Sequence, residues 1–232
     1  MARAAECALP AGASPALARF DAETRLRFLQ HGLRQAAHDA RVWAWSSAGV
    51  LAFAAGFQIL GATHVPDPGD RTDLWVGAAS VGFSLAQLAI FYPRVTIDQW
   101  TLDRHVARAA PGADRCALLA EAEWFLARDA RSERIATGTA MTAATFAFNI
   151  GAGLVLGIAF DRWQSAAINM FVGAALGELQ LVTQPTESVE LLRRYRDGAL
   201  TATPARHSSP VTWHLLPTAS RDGVGLALAL AY

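Results

Sequence analysis

Lysine is absent from this chain: all 20 of its basic residues are arginine, a bias that points to genome composition more than to mechanism. Charge of either sign is scarce, at 17% of 232 residues against 53% hydrophobic, which leaves a soluble domain little with which to face water. The formal net charge is zero, so no electrostatic case exists for a nucleic-acid partner. Cysteine occurs only at positions 7 and 116. The first 41 residues carry six arginines and no apolar core of signal-peptide length, so a cleaved leader is not expected and the first span should act as an uncleaved anchor.

The gaps between charges carry the fold class. No Asp, Glu or Arg appears in 42–66, 74–93 or 135–160, and a bilayer core needs roughly 20 helical residues to cross. A fourth gap, 163–177, reaches spanning length only if Glu178 is taken inside. The spacing predicts four transmembrane helices near 43–62, 74–92, 138–160 and 165–184. Arg34 and Arg41 precede the first span, seven arginines from Arg94 to Arg134 separate the second from the third, and Arg193, Arg194 and Arg196 follow the fourth. The other side has Arg71 and Arg162, each beside aspartates. Arginine excess marks the cytoplasmic side, so both termini are expected there. Trp43, Trp45, Trp75, Tyr92 and Trp163 sit at span ends, where amphipathic rings prefer the headgroup region. Cys7 and Cys116 then both fall on the reducing side, and neither is expected to form a disulfide.

Outside the spans the pattern stays helical. Leu26, Leu29, Leu33 and Ala37 have helical spacing, and no Gly or Pro separates Arg34 from the first span, so that helix is expected to continue into the membrane. The prolines and glycines of 61–73 predict a non-helical connection. Between the second and third spans, residues 94–110 and 113–138 read as a helical hairpin turning at Pro111-Gly112. Leu118, Ala122, Phe125 and Leu126 share one face of it, and Trp100 and Trp124 are expected in its core. The second helix is expected to run into the third span without a break.

The two halves share a plan. "RFL" at 27–29 and "WFL" at 124–126 precede the first and third spans, and "VGAA" recurs at 76–79 and 172–175 in the second and fourth. Beyond Pro93 and Pro185, Ile97-Asp98 parallels Val189-Glu190 and Arg104 parallels Arg196. This reads as two copies of helix, span, span, helix, related by a pseudo-two-fold axis along the membrane normal. Residues 201–211 have linker composition, and a Ser-Arg-Asp-Gly turn between two short runs predicts a C-terminal β-hairpin. Leu226, Leu228, Leu230 and Tyr232 alternate with small residues, and this end resembles the C-terminal strand of outer-membrane barrels. Four helical spans conflict with that location, which is not carried over.

Among residues able to carry chemistry, Glu178 stands out, because a carboxylate near mid-membrane costs about 2.5–3.5 kcal/mol on insertion scales. Gln58, Gln87 and Asn149 in other spans are its candidate partners. One reading is a proton or cation site; the leading one is a helix tie near the cytoplasmic face, with Pro185 only about 10 Å of helix further on. Gly153 and Gly157 form one G-x-x-x-G, Gly173 and Gly177 another, and such pairs let helices approach closely. His31 and His38 share a helix face without further ligands, so no metal is expected. His105 and Cys116 flank one turn and are able to approach, but two ligands make no site. Ser46, Ser47 and Ser84 have no histidine in the spans to activate them.

The resulting expectation is an all-α membrane protein: four transmembrane helices in two tandem hairpins with cytoplasmic helical extensions, plus a small C-terminal β-hairpin. Its segments are 1–42 (cytoplasmic helix), 43–92 (first transmembrane hairpin), 93–137 (cytoplasmic helical hairpin), 138–185 (second transmembrane hairpin), 186–200 (cytoplasmic helix) and 201–232 (linker and β-hairpin). The expected role is a non-enzymatic scaffold or assembly protein of a bacterial inner membrane, without cofactor. Membrane lipid is its first partner, with a second copy or another membrane or cytoplasmic protein beside it. A small transporter or channel using Glu178 is the alternative.

Overall fold

Asp21 accepts a hydrogen bond from the Thr24 backbone N–H at 2.7 Å, and this cap starts α1 (Ala22–His64), one unbroken helix of 43 residues. Its length, about 65 Å at 1.5 Å per residue, is twice a bilayer core, so half of it must lie outside. The computed structural model containing it describes residues 7–110, 113–201, 212–220 and 223–231, the last two stretches by backbone alone.

The connection to α2 (Pro68–Ile90) corrects the expectation for 61–73, because only Val65–Asp67 lie outside helices. Pro68 sits in the first turn, where its missing N–H costs nothing, and Asp67 caps the helix by accepting from the Asp70 N–H at 2.8 Å. After Pro93 comes α3 (Val95–Arg108), then α4 (Arg115–Ala136). A second correction concerns the entry to the third span. Thr137 turns its hydroxyl onto the Glu133 carbonyl, and Gly138 stands as N-cap before α5 (Thr139–Leu154), so a short break separates α4 from α5. A π-helical turn (Val155–Ala159) closes that span, and Asp161 takes the left-handed conformation (φ 53°) to reverse the chain into α6 (Trp163–Val182). Beyond Pro185 lies α7 (Glu187–Arg196).

Four helical stretches, Ala22–His64, Pro68–Arg108, Arg115–Ala159 and Trp163–Arg196, are long and apolar enough to cross a membrane. The chain is a multi-pass, helical membrane protein. Its core, however, lies outside the spans. Leu26, Leu29, Leu33, Ala36, Ala37 and Ala40 form a fully buried stripe on the N-terminal half of α1. They meet Val95 and Leu102 of α3, Leu119, Ala122, Phe125, Leu126 and Ala130 of α4, and Leu191, Leu192 and Tyr195 of α7. In this four-helix bundle α1 packs along α3 and α4 along α7, α1 meets α4, and α3 touches α4 as α7 touches α1. Leu191 lies over Gly32, where a Cβ would collide with it, so the missing side chain brings α7 onto α1.

The spans pack differently. Between 6% and 17% of the most apolar window of each long stretch is buried, which leaves most of that surface for lipid. Within them α1 pairs with α2 and α5 with α6. Phe83 stacks on Phe148 at 4.0 Å between ring centres, and the Trp43 indole N–H donates to the Thr183 hydroxyl at 3.3 Å. Where α5 turns into α6, Arg162 pairs with Asp70 at 2.8 Å and Asp73 at 2.5 Å, and Ser165 also donates to Asp73.

Residues 201–232 form a separate unit. Its backbone contains two strands, β1 (Thr212–Ser220) and β2 (Gly223–Ala231), antiparallel with Thr212 opposite Ala231. The predicted turn at Arg221-Asp222, the side chains of both strands, and the linker from 202 lie outside the described residues. The C-terminal hairpin is therefore not counted in the fold class stated here.

This division of packing has a measurable consequence. Leu33→Ala is expected to cost about 2–5 kcal/mol, as for other large-to-small changes in a packed core. Val50→Ala on the exposed side of the α1 span should stay within about 0.5 kcal/mol. Unfolding of the full chain in detergent micelles by denaturant compares the two, and equal losses would contradict the placement of the core.

Candidate functional site

Glu178 lies half-buried in the second-last turn of α6, and its Oε1 is buried without a hydrogen-bond partner. Its expected partners are placed elsewhere. The Gln58 side chain covers Gly77 between α1 and α2. Asn149 covers Gly173 between α5 and α6, approaches Gly177, and donates its amide to the Thr145 carbonyl of its own helix at 2.8 Å. Gln87 is half-buried on α2, where its main-chain carbonyl accepts the Phe91 N–H that closes the helix. None of these side chains has a recorded hydrogen bond to Glu178. The four glycines sit along the α5–α6 hairpin: Met170 covers Gly153, Trp163 covers Gly157, and Thr145 covers Gly177 beside the Asn149–Gly173 contact. The G-x-x-x-G pairs thus lie within one chain, each gap filled by a side chain from the facing element.

A second set of polar groups, in the bundle, has no counterpart among the expected sites. Arg25 is 2% exposed. Its Nε donates to the Tyr195 hydroxyl at 2.9 Å and its Nη2 to Glu123 Oε1 at 2.6 Å, while the Tyr195 hydroxyl donates to the same carboxylate oxygen. Burial pushes the Tyr195 phenol up, and the neighbouring carboxylate adds to the effect, so the phenol remains a donor at physiological pH. Bonded to one another, the three side chains clamp α1, α4 and α7 together. Only Arg25 breaks the sequence pattern: it adjoins Leu26 at the start of the apolar stripe, where a charge is out of place.

Nearer the membrane lies a row of carboxylates. Asp98 of α3 is held by Arg128 of α4 through two hydrogen bonds, one of 3.0 Å from Nε. Asp129, 1% exposed, lies beside Asp98 with both oxygens lacking a hydrogen bond. Desolvation first, and the adjoining Asp98 carboxylate second, push its carboxyl far above the usual range. One turn on, Glu133 accepts the backbone N–H groups of Ser188 (3.3 Å) and Val189 (3.1 Å), capping α7 from a neighbouring helix. Burial outweighs these bonds and pushes Glu133 up to about 7. Among the described residues no group of three or more His, Cys, Asp or Glu has the geometry to hold a metal.

Three further expectations are corrected. Trp100 and Trp124 are not core: they are 55% and 56% exposed, beneath the guanidinium groups of Arg104 (3.5 Å) and Arg128 (4.2 Å). Each arginine stands four residues after its tryptophan on the outer helix face, so cation–π stacking replaces burial. His105 does not meet Cys116; its Nδ1 lies 2.8 Å from Glu121. Cys116 instead forms a disulfide with Cys7, Cα to Cα 5.3 Å, across 109 residues of sequence. The compartment argument had spoken against this bond, whereas the fold brings the N-terminal segment onto the start of α4.

Compared with protein-family models, curated proteins and solved structures, the chain matches none. The site must therefore be read from its own geometry.

The raised carboxyls set the pH dependence of stability. A folded-state pKa above the unfolded value means that the native state holds protons the unfolded chain has released, so stability falls as pH rises between the two. For Glu133 that window runs from 4.5 to about 7, and Asp129 extends the fall into the alkaline range. The Tm of the detergent-solubilised protein should drop between pH 5 and 9, and Asp129→Asn should flatten the alkaline part of the slope. A wild-type Tm constant over that range would refute the assignment.

Proposed function

We propose that this protein is a non-enzymatic scaffold or assembly protein of a bacterial inner membrane, which presents its four-helix bundle to partners on the cytoplasmic side. The observation that carries this reading is the unequal packing. Large buried side chains, the Arg25–Glu123–Tyr195 clamp and the Asp98–Arg128 pair hold the bundle, whereas the spans bury little of themselves. A bundle built this firmly is suited to display a surface, and spans this open are suited to lipid or to neighbouring membrane helices. Arg25, Glu123 and Tyr195 engage one another, as do Asp98 and Arg128, which supports a structural role for these two sets.

In this reading the spans form two tandem hairpins, and the arginine-rich bundle side is cytoplasmic by the charge rule. The matching contacts of α1 with α3 and α4 with α7 support an internal duplication, as does the placing of Gly77 and Gly173, from the two "VGAA" segments, each under an amide side chain. The strands of 212–231 would serve as a small hairpin at the end of the tail. A second reading, transport of protons or cations, is favoured by one observation: the unpartnered buried oxygen of Glu178. An ionisable group inside a span without a partner is an ion-pathway hypothesis by default.

Two measurements test these statements. A reporter fused after Tyr232 is expected to be active only as a cytoplasmic-type fusion; activity restricted to a periplasmic reporter would reverse the orientation. Purified protein in liposomes is expected to pass neither protons nor monovalent cations. Flux from the wild type that disappears in a folded Glu178→Gln variant would replace the scaffold by the transporter.

A further inference from the structure

The Cys7–Cys116 bond does not stand alone. Residues 8–20 form a strap over the end of the bundle away from the spans. Leu17 is fully buried in the bundle core, the Ser14 N–H donates to the Arg196 carbonyl at 2.7 Å, and the Ala8 carbonyl accepts from Arg25 Nη2 at 3.3 Å. Gly198, with φ +72°, lets the end of α7 approach the backbone of Ala16 and Leu17 closer than any Cβ would permit. Pro10 and Ala11 form one wall of a cleft whose other walls are Glu123, Trp124, Leu192 and Tyr195. The strap therefore covers the Arg25–Glu123–Tyr195 clamp, and a single covalent bond holds its leading end.

That bond is reachable. Both cysteines are half-buried, and a cleft lined by Cys7, Arg19, Arg25, Arg115 and Cys116 opens beside the sulfurs. Cys116 is the second residue of α4, where its backbone N–H donates to the Asp114 carboxylate at 2.9 Å and Arg115 pairs with Glu23 at 3.5 Å.

We propose that Cys7–Cys116 is a redox modification site, a disulfide made and broken by thiol exchange with cellular dithiols, which latches the N-terminal strap over the bundle. In the cytoplasm, disulfides are characteristically transient and redox-sensing rather than permanent. The inference rests on the cytoplasmic placement of the bundle. In the reducing direction one thiolate of a dithiol attacks Cys7 Sγ, the Cys7–Cys116 bond breaks, and Cys116 departs as a thiolate and takes a proton. The second thiol of the reductant then attacks the mixed disulfide and releases Cys7. Two electrons pass to the protein and the dithiol becomes a disulfide; oxidation by a small disulfide runs the same steps backwards. With the bond open, the strap is retained by non-covalent contacts: Leu17, Ala13 and Phe20 on the core, the Arg25–Ala8 hydrogen bond and the Ser14–Arg196 backbone bond.

The test uses the full chain. In growing cells, acid quenching and maleimide-polymer tagging should show both thiols free, and brief treatment with diamide should convert them to the untagged disulfide. In purified protein, amide hydrogen exchange at 13–20 should slow at least tenfold on going from reduced to oxidised glutathione buffer. The C7S/C116S variant should stay at the fast rate in both buffers. Equal exchange in the two buffers would overturn the latch, as would thiols that remain free after diamide. A disulfide already complete in untreated cells would overturn it too, and the Tyr232 reporter then separates the causes. Cytoplasmic activity would leave the orientation standing and remove only the switch, whereas periplasmic activity would remove both.

Discussion

In lipid an apolar side chain gains nothing by leaving hydrocarbon for another apolar side chain, and this constraint decides where the protein holds together. Its spans satisfy their own backbone as helices, as any spanning segment must. Close approach at small residues then supplies their contact, as where Met170, Trp163 and Thr145 cover glycines of the α5–α6 hairpin. Outside the bilayer the hydrophobic effect returns, and there the chain buries Leu26, Leu29, Leu33, Leu102, Leu119 and Leu126 almost completely. One helix, α1, takes part in both regimes, its stripe of Leu and Ala giving way beyond Ala44 to residues that face lipid.

The polar groups follow from the same division. Arg25 can be buried because Glu123 and Tyr195 meet it, and the three close a junction between helices that apolar packing alone would leave free to slide. Asp129 is buried beside a second carboxylate and is held there by keeping its proton. Glu133 accepts the Ser188 and Val189 N–H groups at the start of α7, just beyond Pro185 and the fourth span. A protonation event in this row therefore bears on how α7 is held, and through Leu191 over Gly32 on how α7 meets α1.

The strap adds a long-range closure. By joining Cys7 to the start of α4 it closes a loop of 109 residues, which restricts the unfolded chain by an amount worth roughly 4–5 kcal/mol in the chain-entropy model. Local spacing gave no hint of it, because Cys7 and Cys116 stand in no motif and meet only after α1 and α4 have packed.

Charge spacing along the sequence marks the four stretches that, among the described residues, are apolar enough to cross a membrane. Uncharged runs at 42–66, 74–93 and 135–160, and the shorter one ending at Glu178, mark the spans because a charge in hydrocarbon is costly over the whole width of the bilayer. Helical periodicity marked Leu26, Leu29, Leu33, Ala122, Phe125 and Leu126 as inward, since a period of 3.6 is a local property. Hydrophobicity, however, misplaced Trp100 and Trp124, which stack under arginines on the outer face. Local rules failed where a single position outweighed composition. Pro68 at a first turn allowed a helix that proline and glycine content argued against, and Gly138 ended one that periodicity would have continued. Which helix meets which was decided only by the tertiary structure. The Arg25 clamp, the Asp98–Asp129 pair, the covering of Gly173 by Asn149 and the disulfide all join residues far apart in the chain, and such pairings leave no periodic trace in the sequence that forms them.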